Sequence, residues 1–350
     1  MSNDYFKGRG AQIKSKNRFL QQAYVTEHIE GLDKPLLVKE STQVYYDSPR
    51  KIVNKIKSPD LGSLYSINAY QGCEHGCIYC YARNSHEYYG FSAGLDFEQK
   101  IMVKKQAPLL LEQHFLKKSW KPHSIMLSGN TDCYQPLERK FKLTQNLLKV
   151  FLKYQNPVSI LTKNALITRD LEILQELAKN QLVHVFFSIN TMDEKLRSIL
   201  EPRTVSAQKK FQAMEQLAKA GIPVGIMNAP IIPAINHHEI PSIIAAAANH
   251  GAQAAGYTVV RLNGAIGEIF RNWLQKNFPD RSDKVMNQIE ELHGGNVNDS
   301  KYGRRMTGEG NIALIIKKLF EVAKKKYMSD RSLPQLNTSA FRKGGNYTLF

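Results

Sequence analysis

Cysteine is scarce in this chain, and long apolar runs are absent. Only four cysteines occur among the 350 residues, so a secreted fold held by many disulfides is excluded. No stretch approaches the roughly 18–20 consecutive apolar residues that a membrane-spanning helix needs. Residues 1–10 lack the apolar core of a secretory signal peptide. We therefore predict a soluble, cytoplasmic protein with no membrane partner.

Acidic residues are too few to balance the basic ones. Lysines and arginines number 48 against 31 aspartates and glutamates, which gives a formal net charge of +17 at pH 7. This excess favours a polyanionic partner, and DNA and RNA are the candidates. A basic protein without such a partner is the alternative. Apolar residues make up 42% of the chain, which is enough for a core and excludes a wholly disordered protein.

Short β-branched runs alternate with helical patterns from residue 61 onward. The predicted strands cover residues 64–71, 123–129, 157–163, 182–190, 222–230 and 254–262. Such alternation is typical of βαβ units with a parallel sheet. We therefore predict the α/β class, as a partial (β/α)6 TIM-like barrel with an N-terminal extension and a helical C-terminal region. A doubly wound open sheet is the alternative.

The same pattern divides the chain into four regions. They are an N-terminal extension, the core barrel, a helical C-terminal region and a flexible tail, over residues 1–60, 61–262, 263–328 and 329–350. Within the third region, residues 298–310 form a loop rich in glycine and arginine. Arg304 and Arg305 in this loop are suited to a phosphate or an acidic chain, and a solvated loop is the alternative.

Three of the four cysteines fall in one short segment, GCEHGCIYCYAR, at residues 72–83. Cys73, Cys77 and Cys80 follow the first predicted strand, at the end that carries the chemistry in barrel folds. Thiolates suit zinc or iron–sulfur clusters. Three thiolates leave one iron of a [4Fe–4S] cluster without a protein ligand, which is the open position that catalysis needs. A zinc site with a fourth ligand such as His75 and a Cys77–Cys80 redox pair are the alternatives.

This cysteine spacing, with Tyr79 before the last cysteine, resembles the signature of the radical S-adenosylmethionine (SAM) superfamily. Several segments resemble its spore photoproduct lyase-like branch, also described as DNA repair photolyase-related: TDCYQPLE (131–138), ILTKN (160–164), FSINT (187–191), LEPRT (200–204) and NAPIIP (228–233). Residues 72–98 and the RRMTGEG segment resemble an uncharacterised bacterial subgroup. The resemblance implies a [4Fe–4S] cluster held by the three cysteines, with SAM as the second cofactor. Reductive cleavage of SAM would yield methionine and a 5′-deoxyadenosyl radical that abstracts a substrate hydrogen.

The resemblance also implies that the ends of the second and third strands bind the methionine part of SAM. Ser128, Gly129 and Asn130 would face its amino group, and Gly129 would permit close approach of the backbone. Lys163 would pair with its carboxylate. An ordinary turn at the second strand and a solvated lysine at the third are the alternatives.

Five further residues are implied as cofactor-binding. Ser188 and Asn190 would reach the ribose hydroxyls, and Tyr79 would lie near the adenine. Arg203 would contact the cofactor carboxylate or a substrate anion, and Asn228 would face the cofactor. Caps and turns at the strand ends are the alternative roles for Ser188, Asn190 and Asn228.

Asp132 and Cys133 lie just beyond the second predicted strand, at the barrel mouth, and both are candidate catalytic residues. Spore photoproduct lyase uses a cysteine near this strand to return hydrogen to the product radical. Aligning the shared aspartate places that donor nearer to Asn130 than to Cys133, so repair of thymine dimers is not predicted as firmly as radical chemistry. The alternatives are a turn cap for Asp132, before Pro136, and a plain buried side chain for Cys133.

We predict a lyase-like radical SAM enzyme that receives electrons from flavodoxin or ferredoxin. Both donors are acidic, so they also account for a basic surface. DNA or RNA is one substrate class, and a protein, peptide or small metabolite is the other. A basic nucleic-acid-binding protein with a structural metal site is the second hypothesis, and a thiol redox protein is the third.

Overall fold

The computed structural model describes residues 6–19, 41–60 and 64–345. Its strands are β1 (Gln43–Tyr46), β2 (Val53–Lys55), β3 (Tyr65–Ile67), β4 (Tyr70–Gln71), β5 (Lys100–Val103), β6 (Ile125–Leu127), β7 (Val158–Thr162), β8 (Val183–Ser188), β9 (Val224–Ile231) and β10 (Ala254–Val259). Its α-helices are α1 (Leu95–Gln99), α2 (Ala107–Leu116), α3 (Glu138–Phe141), α4 (Leu143–Tyr154), α5 (Leu171–Lys179), α6 (Glu194–Leu200), α7 (Ala207–Lys219), α8 (Ile240–Asn249), α9 (Ile266–Asn277), α10 (Ser282–Leu292) and α11 (Gly310–Met328). None of these helices is long and apolar enough to cross a membrane.

The main sheet confirms the predicted partial barrel. Its order is β10-β9-β8-β7-β6-β3-β2. Six of these strands run parallel to one another: β3, β6, β7, β8, β9 and β10. β2 pairs antiparallel with β3 at the outer edge. Because parallel strands end on the same side, the residues that follow them meet at one rim.

The first predicted strand, over residues 64–71, divides into two. β3 belongs to the barrel, whereas β4 pairs with β5 in a small second sheet of order β1-β5-β4. Asn68 lies between β3 and β4, and its side-chain oxygen accepts hydrogen bonds from the amides of Asn130 and Thr131. The chain therefore leaves the barrel directly before the cysteine segment.

The barrel strands bury one face more completely than the other. In β7, Val158, Ile160 and Thr162 are buried beneath the helices, while Ser159 and Leu161 are only partly buried. Leu161 faces a cavity inside the barrel. The outer face is thus a packed core, and the inner face leaves room for ligands.

The gap between the two edges of the partial barrel is crossed by one loop, residues 298–309, which we call the bridging loop. On one side its Met306 carbonyl accepts a hydrogen bond from the amide of Val259, at the end of β10. On the other side the amide of Gly303 donates to Asp60, which follows β2, and Arg305 pairs with the same carboxylate. The predicted arginine-rich loop is therefore part of the barrel wall.

The tail is described up to residue 345 and contacts the barrel. The amides of Asn337 and Arg342 donate to the carbonyls of Gln181 and Tyr154, which precede barrel strands, at 2.9 Å each. Phe341 also packs against the buried Phe115, with ring centroids 5.8 Å apart. The division of the chain into four regions, with a flexible tail, stays a prediction.

Candidate active site at the rim of the barrel

A cavity of about 440 Å³ lies at the rim where the parallel strands end. Most of the predicted site residues line it: Cys73, Cys77, Tyr79, Cys80, Ser128, Gly129, Asn130, Asp132, Lys163 and Ser188. Four others, Asn190, Arg203, Asn228 and Cys133, lie outside its wall. Residues that the sequence analysis placed at separate strand ends thus lie mostly on the wall of one cavity.

The cysteine loop places three thiols on one side of this cavity. Burial raises the pKa of Cys73, Cys77 and Cys80, and at Cys73 the other two thiols raise it further. Iron binds the thiolate form, so cluster assembly releases protons from this wall. Among the described residues, no three His, Cys, Asp or Glu side chains are placed to share a single metal ion. A four-iron cluster differs, because each thiolate binds a separate iron.

A buried guanidinium holds the backbone of the cysteine loop. Arg83 donates to the carbonyls of Gly76 and Cys77 at 3.2 and 3.0 Å and to that of Gly94 at 3.0 Å. It also pairs with Glu98 at 2.6 Å, and both side chains are fully buried. Arg83 therefore fixes the loop through its carbonyl groups. The sequence analysis did not single it out, although it lies three residues after the last cysteine of the motif.

The first described segment of the chain packs on the same loop. The amides of Gly10 and Ala11 donate to the Glu98 carboxylate at 3.0 and 2.8 Å. A Cβ at Gly10 would lie 1.8 Å from the carbonyl oxygen of Gly76, so only glycine fits there. The predicted N-terminal extension therefore contributes directly to the support of the cysteine loop.

Acid is expected to destabilise the segment that follows this loop. His86 lies in the 3₁₀ helix Tyr81–Tyr89, packs against Phe91 and Phe97, and has its pKa lowered to about 4 by burial. In the unfolded chain the pKa of this histidine is about 6.5. As the pH falls, the unfolded chain is therefore protonated before the folded chain is. The free energy of unfolding therefore has its full value above about pH 6.5. It falls by about 3 kcal/mol as the pH is lowered to about 4.

His86→Phe should therefore weaken the acid sensitivity of folding. We expect the fall in unfolding free energy between about pH 7 and about pH 4 to shrink by about 3 kcal/mol in this variant, measured by urea denaturation. His238→Phe, at an exposed histidine, is the matched control and should leave the profile unchanged. Equal profiles for the wild type and His86→Phe would contradict the assignment.

Four buried or partly buried side chains behind the cysteines form one charged network. Glu201 accepts hydrogen bonds from Lys163 at 2.8 Å, from Lys210 at 3.2 Å and from the Tyr79 hydroxyl. Lys163 also donates to Ser188 at 2.7 Å. Lys163 thus lies on the cavity wall as predicted, but its partner among the described residues is Glu201, from the LEPRT segment.

The network carries a surplus of positive charge. Burial opposes ionisation of Glu201, but Lys163 and Lys210 lower its pKa well below the ordinary range. Burial lowers the pKa of Lys210, while Glu201 raises that of Lys163 against the effect of burial. One carboxylate thus neutralises one of two ammonium groups. The remaining charge beside three thiols is suited to an anionic group of a cofactor, so these residues fit the cluster and SAM.

The end of β6 is shaped by contacts within the chain. Ser128 has a positive φ of 74°, and its hydroxyl accepts a hydrogen bond from the amide of Cys133 at 2.7 Å. A Cβ at Gly129 would lie 2.8 Å from the Cβ of Ser66, so this glycine permits close packing of β6 on β3. The Asn130 amide group donates to Ser85 at 3.0 Å. Contact with a cofactor amino group stays a prediction for all three predicted residues.

Asp132 lines the cavity, but both its oxygens already have partners. Oδ1 accepts from the amide of Tyr134 at 2.9 Å and from the Thr162 hydroxyl at 2.8 Å, while Oδ2 accepts from the amide of Lys163 at 2.7 Å. Burial raises its pKa, but His75, 3.4 Å away, and these amides lower it overall. The geometry favours a role in tying β6 to β7, and a catalytic role stays a prediction.

Cys133 is placed in the hydrophobic core instead of the cavity. Only 5% of it is exposed, and it packs with the core that lies between the strands and helices. Its carbonyl accepts a hydrogen bond from Thr144 at 2.6 Å. The thiol packs beside Ser128 and not on the cavity wall itself, and a catalytic role for Cys133 stays a prediction.

The other three residues outside the cavity wall support it from behind. Asn190 donates to the Tyr79 hydroxyl at 3.2 Å, and Asn228 donates to the carbonyl of Ile189 at 2.9 Å. Arg203 pairs with Glu74 at 3.5 Å with 38% of its side chain exposed. Contact with SAM stays a prediction for these three residues, and the buried Oδ1 of Asn228 has no hydrogen-bond partner in the described part of the chain.

Several cavity residues were missed or assigned elsewhere by the sequence analysis. Tyr81 and Arg261 were not singled out, His75 was weighed as a zinc ligand and as an ordinary loop residue, and Arg305 was left between an anion-binding and a solvated loop. The Tyr81 hydroxyl donates to the carbonyl of Gly129, joining the cysteine loop to β6. For Tyr81 and Arg261 the signal in the sequence was position, since Tyr81 follows the cysteine motif and Arg261 follows the end of β10.

Comparison with protein families decides the identity of this site. The radical SAM superfamily matches residues 67–247, which include the cysteine loop and strands β6 to β9. This chain belongs to the radical SAM superfamily. The predicted enzyme class and its cofactors, a [4Fe–4S] cluster and SAM, are thereby confirmed.

Relatives of this radical SAM protein occur in bacteria and archaea. An uncharacterised protein from Mycobacterium bovis is 30% identical over 249 residues, covering 70% of this chain and 72% of the relative. An uncharacterised protein from Methanocaldococcus jannaschii is 30% identical over 239 residues, covering 68% and 85%. These relatives extend the radical SAM family without naming a substrate.

Solved structures of spore photoproduct lyase share the fold of this radical SAM protein. The lyase in complex with a dinucleoside spore photoproduct aligns with a TM-score of 0.59 at 14% identity, covering 81% of this chain and 79% of that chain. A variant with bound SAM and the same photoproduct aligns with a TM-score of 0.58 at 15% identity and the same coverage. At 14–15% sequence identity, this similarity shows a shared fold and no more.

Proposed function

We propose that this radical SAM enzyme abstracts a hydrogen atom from a nucleic acid, DNA or RNA, with flavodoxin or ferredoxin as the electron donor. The observation that carries the proposal is a basic cavity wall in a protein of net charge +17. Lysine and arginine side chains neutralise the phosphates of a nucleic acid backbone and release their counterions, which gives affinity without sequence preference. The fold shared with a lyase that was solved with a dinucleoside photoproduct adds support.

The residues on the cavity wall divide between two tasks. Cys73, Cys77 and Cys80 would hold the cluster. Lys163 would bind the SAM carboxylate, because Glu201 neutralises only one of the two lysines that it contacts. When bound, the cluster and SAM supply a 5′-deoxyadenosyl radical by one-electron cleavage that also yields methionine. A substrate held in the same cavity would give up one hydrogen atom, so that its isotope label would appear in 5′-deoxyadenosine.

Return of hydrogen to a product through Cys133 is not part of this proposal. That thiol packs with the core and does not line the cavity. Repair of thymine dimers by a lyase-type cycle would need another donor. We therefore propose chemistry on nucleic acid without assigning photoproduct repair.

Transfer of deuterium from a labelled oligonucleotide tests the proposal. The reconstituted enzyme would be given flavodoxin, SAM and perdeuterated single-stranded DNA or RNA, and 5′-deoxyadenosine would be analysed by mass spectrometry. We expect deuterium in 5′-deoxyadenosine and faster formation with nucleic acid than with heparin, which matches its charge but has no nucleotide. Equal rates with and without nucleic acid, and no deuterium transfer, would contradict the proposal.

A further inference from the structure

Two arginines line the cavity on the side of the bridging loop. Arg261 follows the end of β10, and Arg305 lies in the bridging loop itself. We propose that these two guanidinium groups form a subsite for one oxyanion group of the substrate, a phosphate or a carboxylate. This proposal shares one premise with the proposed function, which is that a substrate binds in this cavity.

Arg305 is held in place by neighbours from the opposite edge of the barrel. Its Nε lies 2.5 Å from the Asp60 carboxylate, and an Nη donates to the Ser58 hydroxyl at 2.5 Å. The Tyr302 ring lies 4.4 Å from its guanidinium carbon. A guanidinium fixed in this way is already oriented before a ligand arrives, which lowers the entropy lost on binding.

Arg261 lacks such a partner. It is partly buried, and within the described part of the chain it makes no hydrogen bond or ion pair. Arg305 raises the local positive potential, and Asp60 is already engaged by Arg305. Two guanidinium groups thus line the cavity, and one carboxylate, that of Asp60, neutralises one of the two positive charges.

This pair is distinct from the lysine network beside the cysteines. The charges that act on the Cys77 thiol come from Lys163, Lys210 and Glu201, whereas those that act on Arg261 come from Arg305, Tyr81 and Asp60. The two positive centres therefore have different charged neighbours within one cavity. An anion at the arginines would hold a substrate by its acidic group without using the lysine network.

Guanidinium chemistry suits a planar or tetrahedral oxyanion. Arginine presents two parallel N–H groups to the oxygens of a carboxylate or phosphate, and the bonds are stronger where water is partly excluded. A second arginine would neutralise the remaining charge of a phosphate. A neutral substrate would leave Arg261 desolvated without compensation, which argues for an anionic one.

Protection of Arg261 from phenylglyoxal tests the subsite without measuring turnover. The reconstituted protein with SAM would be treated with the reagent, and the modification of each arginine would be quantified by peptide mass spectrometry. Inorganic phosphate, acetate, the dinucleotide TpT and neutral thymidine would be compared as protectants. The exposed Arg139, on α3, is the internal reference.

We expect phosphate, acetate or TpT to slow modification of Arg261 by about tenfold, as a charge-assisted hydrogen bond implies, while thymidine and the reference arginine show no effect. Protection by phosphate or acetate but not by TpT would support the subsite and contradict a nucleic acid substrate. Modification of Arg261 at one rate with all four compounds would overturn the subsite, whatever deuterium transfer shows.

Arg261→Met provides a second measurement. The substitution leaves no described carboxylate without a partner, so the fold should be retained. Calorimetry should show affinity for the protecting anion reduced by about tenfold. Lys324→Met, at an exposed lysine on α11, is the matched control and should bind as the wild type does. Equal affinities for Arg261→Met and the control would refute the subsite.

Discussion

Protein carrying Cys80→Ala will hold no [4Fe–4S] cluster and will form no detectable 5′-deoxyadenosine, whereas Cys133→Ala will retain both. The two thiols differ in where they lie. Cys80 lines the cavity with two other cysteines, and Cys133 packs in the core. A cluster held by three thiolates loses a third of its protein ligands in the first variant and none in the second.

Iron and sulfide content, the brown absorption of the reconstituted protein and 5′-deoxyadenosine formed with dithionite and SAM would check this prediction. Cys133→Ala controls for the loss of a buried thiol, and its cost to stability would appear in denaturation without a change in iron. A Cys80→Ala protein with full iron and sulfide would contradict the cluster assignment. Zinc without iron in the anaerobically purified wild type would do the same.

Loss of Arg83 is expected to have the second-largest effect. Arg83→Met leaves the Glu98 carboxylate buried without its guanidinium and removes the donors to Gly76 and Cys77. Breaking one member of a buried ion pair costs about 3–5 kcal/mol. We expect a fall of that size in the unfolding free energy and poor retention of iron, because the cysteine loop loses its fixed shape.

Two further variants separate the ion pair from the loop contacts. Arg83→Met with Glu98→Leu removes both charges, so part of the stability should return, as it does when a buried pair is replaced by apolar groups. Iron retention should stay low, because the loop carbonyls still lack their donor. Lys219→Met, in an exposed pair with Glu215, should leave stability nearly unchanged. Full iron retention in the double variant would contradict the role of Arg83.

The parts of the site that depend on short stretches of sequence were predictable. The spacing of the cysteines and the position of Lys163 at a strand end are local features of the sequence. The residues that they identify, three cysteines and Lys163, line the cavity. Contacts between distant segments were not predictable. Tyr79 and Glu201 are separated by 122 residues, and Gly10 and Glu98 by 88. No periodicity or spacing signals that such groups will meet.

Position near a motif was also not enough to define a role. Cys133 stands beside Asp132 in the chain, yet only Asp132 lines the cavity. Consecutive residues on an extended or turning backbone point in different directions, so a match at one position says little about the next.

The bridging loop has a consequence for the order in which the site is completed during synthesis. Arg305 and its partner Asp60 are 245 residues apart, so this wall cannot form until nearly the whole chain has emerged from the ribosome. The contacts of Arg83 and Gly10 with Glu98 span 15 and 88 residues, and all three are translated early. The iron-binding wall can therefore assemble first. The wall that we propose to bind an anionic group of the substrate can form only after the segment with the three cysteines has been translated.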